Sequence, residues 1–218
     1  MRLAVVGCGA VGTSVLELAD EHGHDVVAVA DSTGGVVDDG GLEADDVLSR
    51  KRSRGVVGSD DPGAALAVDY DVLVEATPTT LGDAEPGFSN VRRALERNRH
   101  AVLANKGPVA ERYDDVRALE ADSAGTVLFE ATVGGAIPVL STVADRDGQV
   151  TAARGVLNGT ANFILSRMAA EGLGYDHVLA EAQDLGVAEA DPAFDVDGTD
   201  AGSASATPRS WASASTWS

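Results

Sequence analysis

The sequence predicts an α/β protein: a doubly wound parallel sheet over residues 1–130, followed by an incomplete α+β region. Three observations predict it. Leu3–Val6 is an apolar run that opens directly into G-C-G-A-V-G, with Gly7, Gly9 and Gly12. Short apolar runs then alternate with helix-length amphipathic stretches, the pattern of buried strands joined by crossover helices. Lastly, 44% of the 218 residues are hydrophobic but only 4% are aromatic, so the core must be Val, Leu and Ala.

The first element is the Leu3–Val6 strand. A helix is expected over about 10–22, with Val11, Val15, Leu16 and Leu18 on its inner side, and D-V-V-A-V-A-D is a strand ending in Asp31. Strand, glycine turn, helix, strand and terminal acid is the dinucleotide (Rossmann-type) fingerprint in its required setting. Gly7 permits the turn, Gly9 lets a pyrophosphate approach the backbone, and Gly12 lets helix and strand pack closely. Residues 9–12, including Ala10 and Val11, then open a helix whose N-terminus favours a phosphate. Asp31 is placed to accept from a ribose hydroxyl. Cys8 is read as a small side chain in the turn, and as the one cysteine it excludes an internal disulfide.

Further on, 72–75 is a strand, 86–98 a helix, 101–104 a strand, 108–123 a helix and 127–130 a strand. Ligands of such sheets sit beyond the carboxyl ends of the strands. That singles out Thr77, Pro78, Asn105, Lys106, Thr132 and Gly134. Lys106, in A-N-K-G-P, is one of only two lysines in the chain; it is either a solvated loop cation or a substrate or cofactor contact. The run R-K-R-S-R from Arg50 to Arg54 suits a helix C-terminus. Alternatively, Arg50 or Lys51 meets a cofactor 2′-phosphate, which the Asp31 carboxylate would repel. NAD and NADP therefore both stay open.

Charge limits the partners. The formal net charge of −19 argues against nucleic acid or an anionic membrane. Fourteen Arg against two Lys, and Asp outnumbering Glu, suit a protein kept soluble in concentrated salt, from a halophilic source such as an archaeon; the alternative is an ordinary acidic cytosolic protein. An N-terminus that opens as a strand and the lack of a membrane-length apolar run lead to the expectation of a soluble, cytoplasmic protein. The four histidines are scattered, with no metal-like or triad partner.

In the second region 137–146 reads as a helix and 150–157 as a strand. Asn158-Gly159-Thr160 can cap a helix to about 170, with Phe163, Ile164 and Met168 inward. Asp176 is expected to cap the next helix, whose apolar face is Val178, Leu179, Ala182 and Leu185. Glu189, Asp191, Asp195, Asp197 and Asp200 then crowd one loop. Carboxylates so close repel, so a polar substrate or a cation is the better explanation than a bare structural role.

Taken together, G-C-G-A-V-G, A-N-K-G-P, E-A-T-V-G-G-A-I-P, G-V-L-N-G-T-A-N-F-I-L and E-A-Q-D-L-G-V-A-E-A-D-P with D-V-D-G-T-D resemble homoserine dehydrogenase, over residues 1 to about 201. The resemblance implies NAD- or NADP-dependent interconversion of L-aspartate 4-semialdehyde and L-homoserine, in threonine and methionine biosynthesis, by a homodimer when intact. It implies that residues 9–12 and Thr77 line the cofactor and that Lys106 lies where cofactor meets substrate. Glu189 and Asp200 would hold the amino end of homoserine. Oxygens around Glu130, Val133, Gly135 and Ile137 would bind a monovalent cation such as sodium. The family continues as D-x-A-x-K, with a lysine that exchanges the substrate proton; here that position is Ala204. Residues 131–201 are thus expected to be a partial catalytic region, and 202–218 an aberrant or disordered tail, as from a shifted reading frame. Two other readings stand beside impaired catalysis: an inactive nucleotide-binding module, and a gene remnant that folds poorly.

Overall fold

The computed structural model describes residues 1–145, 151–152 and 154–204, and its chain divides into two units, Met1–Ile137 and Pro138–Ser218. The strands of the first unit are β1 (Arg2–Val6), β2 (Asp25–Asp31), β3 (Gly34–Val37), β4 (Val72–Glu75), β5 (His100–Leu103) and β6 (Val127–Leu128). They form one sheet in the order β3-β2-β1-β4-β5-β6. Chain order reverses beside β1, which has β2 on one side and β4 on the other; both pairings are parallel. The β4–β5 and β5–β6 pairings are parallel as well.

The expectation of a parallel sheet needs one correction, because β3 runs antiparallel to β2. Asp31 pairs with Gly34, leaving Ser32 and Thr33 as the connection. Two residues can join antiparallel strands only, since a parallel crossover needs a dozen or more. Asp31 itself shapes this turn by accepting from the Thr33 N–H at 2.8 Å.

Helix α1 (Ala10–Ala19) buries Gly12, Leu16 and Ala19, an i, i+4, i+7 stripe against the sheet. Val11 and Leu18 were expected inside but are 50% and 47% exposed. They lie on the neighbouring stripe with Val15, one residue round the helix from the buried one. The helix continues as a 3₁₀ turn over Asp20–His22 and stops at Gly23, φ 68°. Helix α2 (Ala44–Arg54) carries Asp45 and Asp46 in its first turn and Lys51, Arg52 and Arg54 in its last, both favoured by the helix dipole. Helix α3 is Gly87–Glu96. The single helix expected at 108–123 is two, α4 (Gly107–Glu111) and α5 (Tyr113–Ala121), broken where Arg112 leaves helical geometry at φ −128°, ψ 30°. The Arg112 guanidinium there lies 4.0 Å from the Phe88 ring centre and 2.6 Å from Asp115. The core is aliphatic as composition required, with Val5, Leu16, Val29, Val47 and Val57 almost fully enclosed. A short helical turn, α6 (Ala131–Gly134), follows β6.

In the second unit the helices are α7 (Val139–Ala144), α8 (Gly159–Glu171), α9 (Tyr175–Asp184) and α10 (Ala193–Val196). Helix α7 starts after Pro138, not at Ile137, because a residue before proline is pushed out of the α region. Arg146, its expected end, lies outside the described residues. So do Val150 and Ala153 of the expected strand, and 151–152 and 154–157 are not strand. A strand satisfies its backbone groups only in a ladder, and among the described residues this unit holds no second strand to supply one.

The α8–α9 pair closes on Ile164, Val178, Ala182 and Ala188, with Phe163, Met168 and Leu179 packed against them. Leu185 is 62% exposed instead of joining that face. It lies beyond the last helical residue, Asp184. Gly174, extended at φ −74° and ψ 153°, is the N-cap of α9. Asp176 therefore lies within the first turn and does not cap it. Residues 199–204 are helical, with Ser203 and Ala204 buried. The Gly202 N–H reaches the Gly198 carbonyl at 2.8 Å, and the Ser203 hydroxyl reaches the Thr199 carbonyl at 3.0 Å. Residues 205–218 lie outside the described residues.

Candidate functional site

Parallel strands in close register deliver their following loops to one edge of the sheet. Val6 and Leu103 both lie beside Glu75, so Gly7, Ala76 and Ala104 leave the sheet together. Gly7 has φ +99°, and a Cβ there would fall 2.3 Å from the Ala76 backbone, so β1 meets the β4 loop backbone to backbone. At Gly12 a Cβ would come within 1.8 Å of the Gly7 carbonyl oxygen. Gly9 differs from both: a Cβ there meets no atom within 4 Å. It is exposed, and as the N-cap of α1 it offers no side chain to the first N–H groups. The turn therefore presents backbone donors beside open space, which suits a pyrophosphate. Ala10 and Val11 begin the helix on the same side.

Asp31 ends β2 one strand away. Its Oδ2 is 2.6 Å from Lys51 Nζ, and the Asp31 side chain is 9% exposed. Burial pushes this carboxyl up, but the Lys51 ammonium and the Thr33 hydrogen bonds outweigh it, and the net shift is downward. Lys51 also donates to the Gly55 carbonyl at 3.2 Å, while Arg50 turns to the Val57 carbonyl at 2.8 Å. The carboxyl end of β2 thus carries a carboxylate with its own cation. Burial raises the Cys8 thiol, in keeping with a packing role in the turn.

On the other side of β1, Thr77 and Asn105 are joined. Asn105 Nδ2 donates to Thr77 Oγ1 at 3.0 Å and to the Pro78 carbonyl at 3.3 Å, and Asn105 Oδ1 accepts from the Gly107 N–H at 2.8 Å. The Lys106 N–H reaches Thr79 Oγ1 at 3.2 Å, so the two loops run side by side. Beneath them lies a group that sequence reasoning passed over. Glu75 is fully buried; it accepts from the Thr77 N–H at 3.0 Å, from the Thr77 hydroxyl, and from Asn90 Nδ2 at 2.7 Å. An acid closing the apolar run V-L-V-E was the available signal.

Glu130, Val133, Gly135 and Ile137 lie on and around α6, where Gly135 turns the chain at φ 61°. The Glu130 carbonyl accepts from the Val133 N–H at 3.2 Å. Among the described residues no group of three or more His, Cys, Asp or Glu gathers for a metal. A cation here would rest on backbone oxygens.

In the second unit Asn158 organises the acidic loop. Its Oδ1 caps α8 by accepting from the Ala161 N–H at 2.7 Å, while Nδ2 donates to Asp195 and to Asp200, each at 2.8 Å. One amide thus satisfies two carboxylates that would otherwise repel. Asp191 is used locally, accepting from the Ala193 N–H at 3.2 Å. Glu189 is exposed and is held through its carbonyl, which accepts from Gln183 Nε2 at 3.1 Å. The acidic cluster therefore resolves into a structured pair, Asp195 and Asp200, and outlying acids.

Comparison with known proteins agrees with this layout. The family model for homoserine dehydrogenase matches residues 137–206, and that for glutamate/leucine/phenylalanine/valine dehydrogenase matches 1–76. The homoserine dehydrogenase of Methanocaldococcus jannaschii is 34% identical over 92% of this chain, which spans 65% of that protein. A solved structure of a putative homoserine dehydrogenase from Archaeoglobus fulgidus superposes with TM-score 0.83 at 36% identity, covering 96% of this chain and 68% of that one. A hyperthermophilic archaeal homoserine dehydrogenase in complex with NADPH gives TM-score 0.77 at 25% identity, over 97% and 69%.

Proposed function

We propose, from the premise that this chain belongs to the homoserine dehydrogenase family, that it binds a nicotinamide dinucleotide in the first unit and an amino-acid substrate through the second. The reaction is the interconversion of L-aspartate 4-semialdehyde and L-homoserine, and the cofactor supplies or accepts the hydride. One observation carries the reading: the Gly7–Gly12 turn, Asp31 and the tied Thr77–Asn105 loops all emerge at the carboxyl ends of adjacent strands. In that arrangement the N-terminus of α1 receives the pyrophosphate and Asp31 the ribose. Thr77, Asn105 and Lys106 border the nicotinamide. Asp200, oriented by Asn158, accepts from the substrate ammonium, with Glu189 as a second carboxylate. A monovalent cation such as sodium on the carbonyl oxygens of 130–137 belongs to the same proposal, since hard oxygen donors suit it. So does a homodimer.

Turnover by this chain is expected to be weak. Its residue at the family's lysine position is Ala204, which can neither give nor take a proton. Loss of a positioned acid costs typically about 10²- to 10⁴-fold. The test is semialdehyde-dependent oxidation of NADH or NADPH, run beside direct titration of each cofactor. Cofactor binding with slow turnover is expected. Failure to bind either cofactor would overturn the reading, and fast turnover would show that another group handles the proton. Binding with no turnover at all would favour the inactive nucleotide-binding module, which Ala204 makes the second reading.

A further inference from the structure

Burying a carboxylate is costly unless its oxygens are hydrogen-bonded. Glu75 is the fully buried acid among the described residues, yet the strand it ends is otherwise Val, Leu and Val. If its task were to fill the core, an aliphatic side chain would do it without that cost. The contacts say what the carboxylate does instead. Oε1 accepts from the Thr77 N–H at 3.0 Å, from the Thr77 hydroxyl, and from Asn105 Nδ2 at 3.4 Å. Oε2 accepts from Asn90 Nδ2 at 2.7 Å, and Asn90 is itself buried on α3. The carboxylate thus joins the loop after β4, the loop after β5 and a helix behind them. It also sets the direction of one hydroxyl: Thr77 Oγ1 donates to Glu75 and accepts from Asn105 at 3.0 Å.

These loops lie on one side only of the switch in strand order. Asp31 marks the β2 side, where an acid at that position meets a ribose next to the adenine. The β4–β5 side is left for the nicotinamide half. We propose that Glu75 is a positioning residue for the nicotinamide half of the cofactor, acting through Thr77 and Asn105 and without touching the ligand. This rests on the dinucleotide reading above. Glu75 should then leave the adenosine half almost unaffected, which a residue that merely holds the fold together would not.

The experiment compares two ligands by titration calorimetry: NADH, and ADP-ribose, which lacks the nicotinamide. Glu75→Met keeps an unbranched chain of similar length that accepts no hydrogen bond of this strength. It is expected to weaken NADH about tenfold, the equivalent of one hydrogen bond to a charged group, with ADP-ribose changed by less than about twofold. Glu75→Gln should recover most of the loss. Its remaining oxygen can face Thr77 while its NH₂ meets Asn90, whose amide can turn over to accept. Equal weakening of both ligands by Glu75→Met, or no weakening of NADH, would overturn the proposal. Should Glu75→Met not fold, Asn90→Ala removes the donor to Oε2 from behind the loops, at a residue that borders no ligand. The same split is expected there, and equal loss or no loss again counts against it. If the unaltered chain binds NADPH alone, the pair becomes NADPH and 2′-phospho-ADP-ribose with the same split expected; if it binds no dinucleotide, the dinucleotide reading itself fails and this inference with it. If the unaltered chain binds both and the variants show no split, only the role of Glu75 fails.

Discussion

At the residue scale the three glycines of the turn have different tasks, and substitution separates them. Gly9 has φ −89° and open space around its absent Cβ, so Gly9→Val should fold normally while filling the volume a pyrophosphate needs. Its unfolding temperature should match that of the unaltered chain, and cofactor affinity should fall at least about a hundredfold, as for a blocked anion site at a helix N-terminus. Equal affinity in Gly9→Val would refute the assignment of the turn. In Gly12→Ala the new Cβ collides with the Gly7 carbonyl, so the loss should appear in stability, at about 2–3 kcal/mol. The Asp31–Lys51 pair makes a further residue-scale prediction. With both charges present, the ribose end should tolerate NADH and NADPH alike. Lys51→Ala should weaken NADPH selectively and Asp31→Asn should weaken NADH selectively, each by about tenfold. Competitive titration checks the ratio. Asp31 also sets a pH limit. Its carboxyl is held below its ordinary value of about 3.9, so its contribution to stability is complete above that value and is lost as pH falls through the lower folded value.

At the element scale the informative join is α8 with the acidic loop. Asn158 serves the helix as N-cap and the loop as donor to two carboxylates, and these roles can be weighed apart. Removal of an N-cap side chain costs about 1 kcal/mol. Asn158→Ala also removes the amide donor shared by Asp195 and Asp200, so its loss should exceed that figure. Asn158→Asp keeps the cap but sets a third carboxylate against the two, and is expected to be the more damaging of the pair at neutral pH. Thermal unfolding at pH 7 in low and high salt tests the order, because screening of the three carboxylates should narrow the gap. Equal stability of Asn158→Asp and the unaltered chain at pH 7 would refute the shared-donor account. The helix break at Arg112 and the antiparallel β3 were not legible in the same way. The first accompanies a contact with a ring from another helix, and the second follows from the shortness of a connection that composition alone does not measure.

At the scale of the whole molecule two features should govern behaviour in solution. A net charge of −19 repels itself most at low ionic strength. Raising salt from about 0.1 M to about 1 M shortens the screening length from about 10 Å to about 3 Å. The unfolding temperature is therefore expected to rise by about 5 °C or more over that range; a flat or falling curve would count against a salt-adapted surface. The second feature is apolar exposure within the second unit: Val156, Leu157, Leu165 and Leu185 are each at least half exposed. Contiguous apolar surface beyond a few hundred Å² promotes association. Concentration-dependent light scattering and binding of an apolar dye are expected in salt-matched buffer, and a monodisperse species that ignores the dye would contradict this.

What the sequence determined by itself was local. The turn at Gly7–Gly12, Asp31 at a strand end and the cap at Asn158 follow from neighbours a few residues away, where backbone sterics and short hydrogen bonds decide the outcome. The strands of the first unit at 2–6, 25–31, 72–75 and 100–103 likewise followed from uninterrupted apolar runs, whereas 151–152 and 154–157 of the strand expected at 150–157 are not strand. Tertiary structure decided where two distant stretches had to meet. Glu75 acquires its partners 15 and 30 residues onward, and Asn158 its carboxylates 37 and 42 residues onward. No periodicity records such meetings. The same limit explains α1, where the stripe of Val11, Val15 and Leu18 is at least as apolar as that of Gly12, Leu16 and Ala19. The sheet covers Leu16, while Val11 and Leu18 face out, because a helix of that radius lays only one stripe against a flat surface.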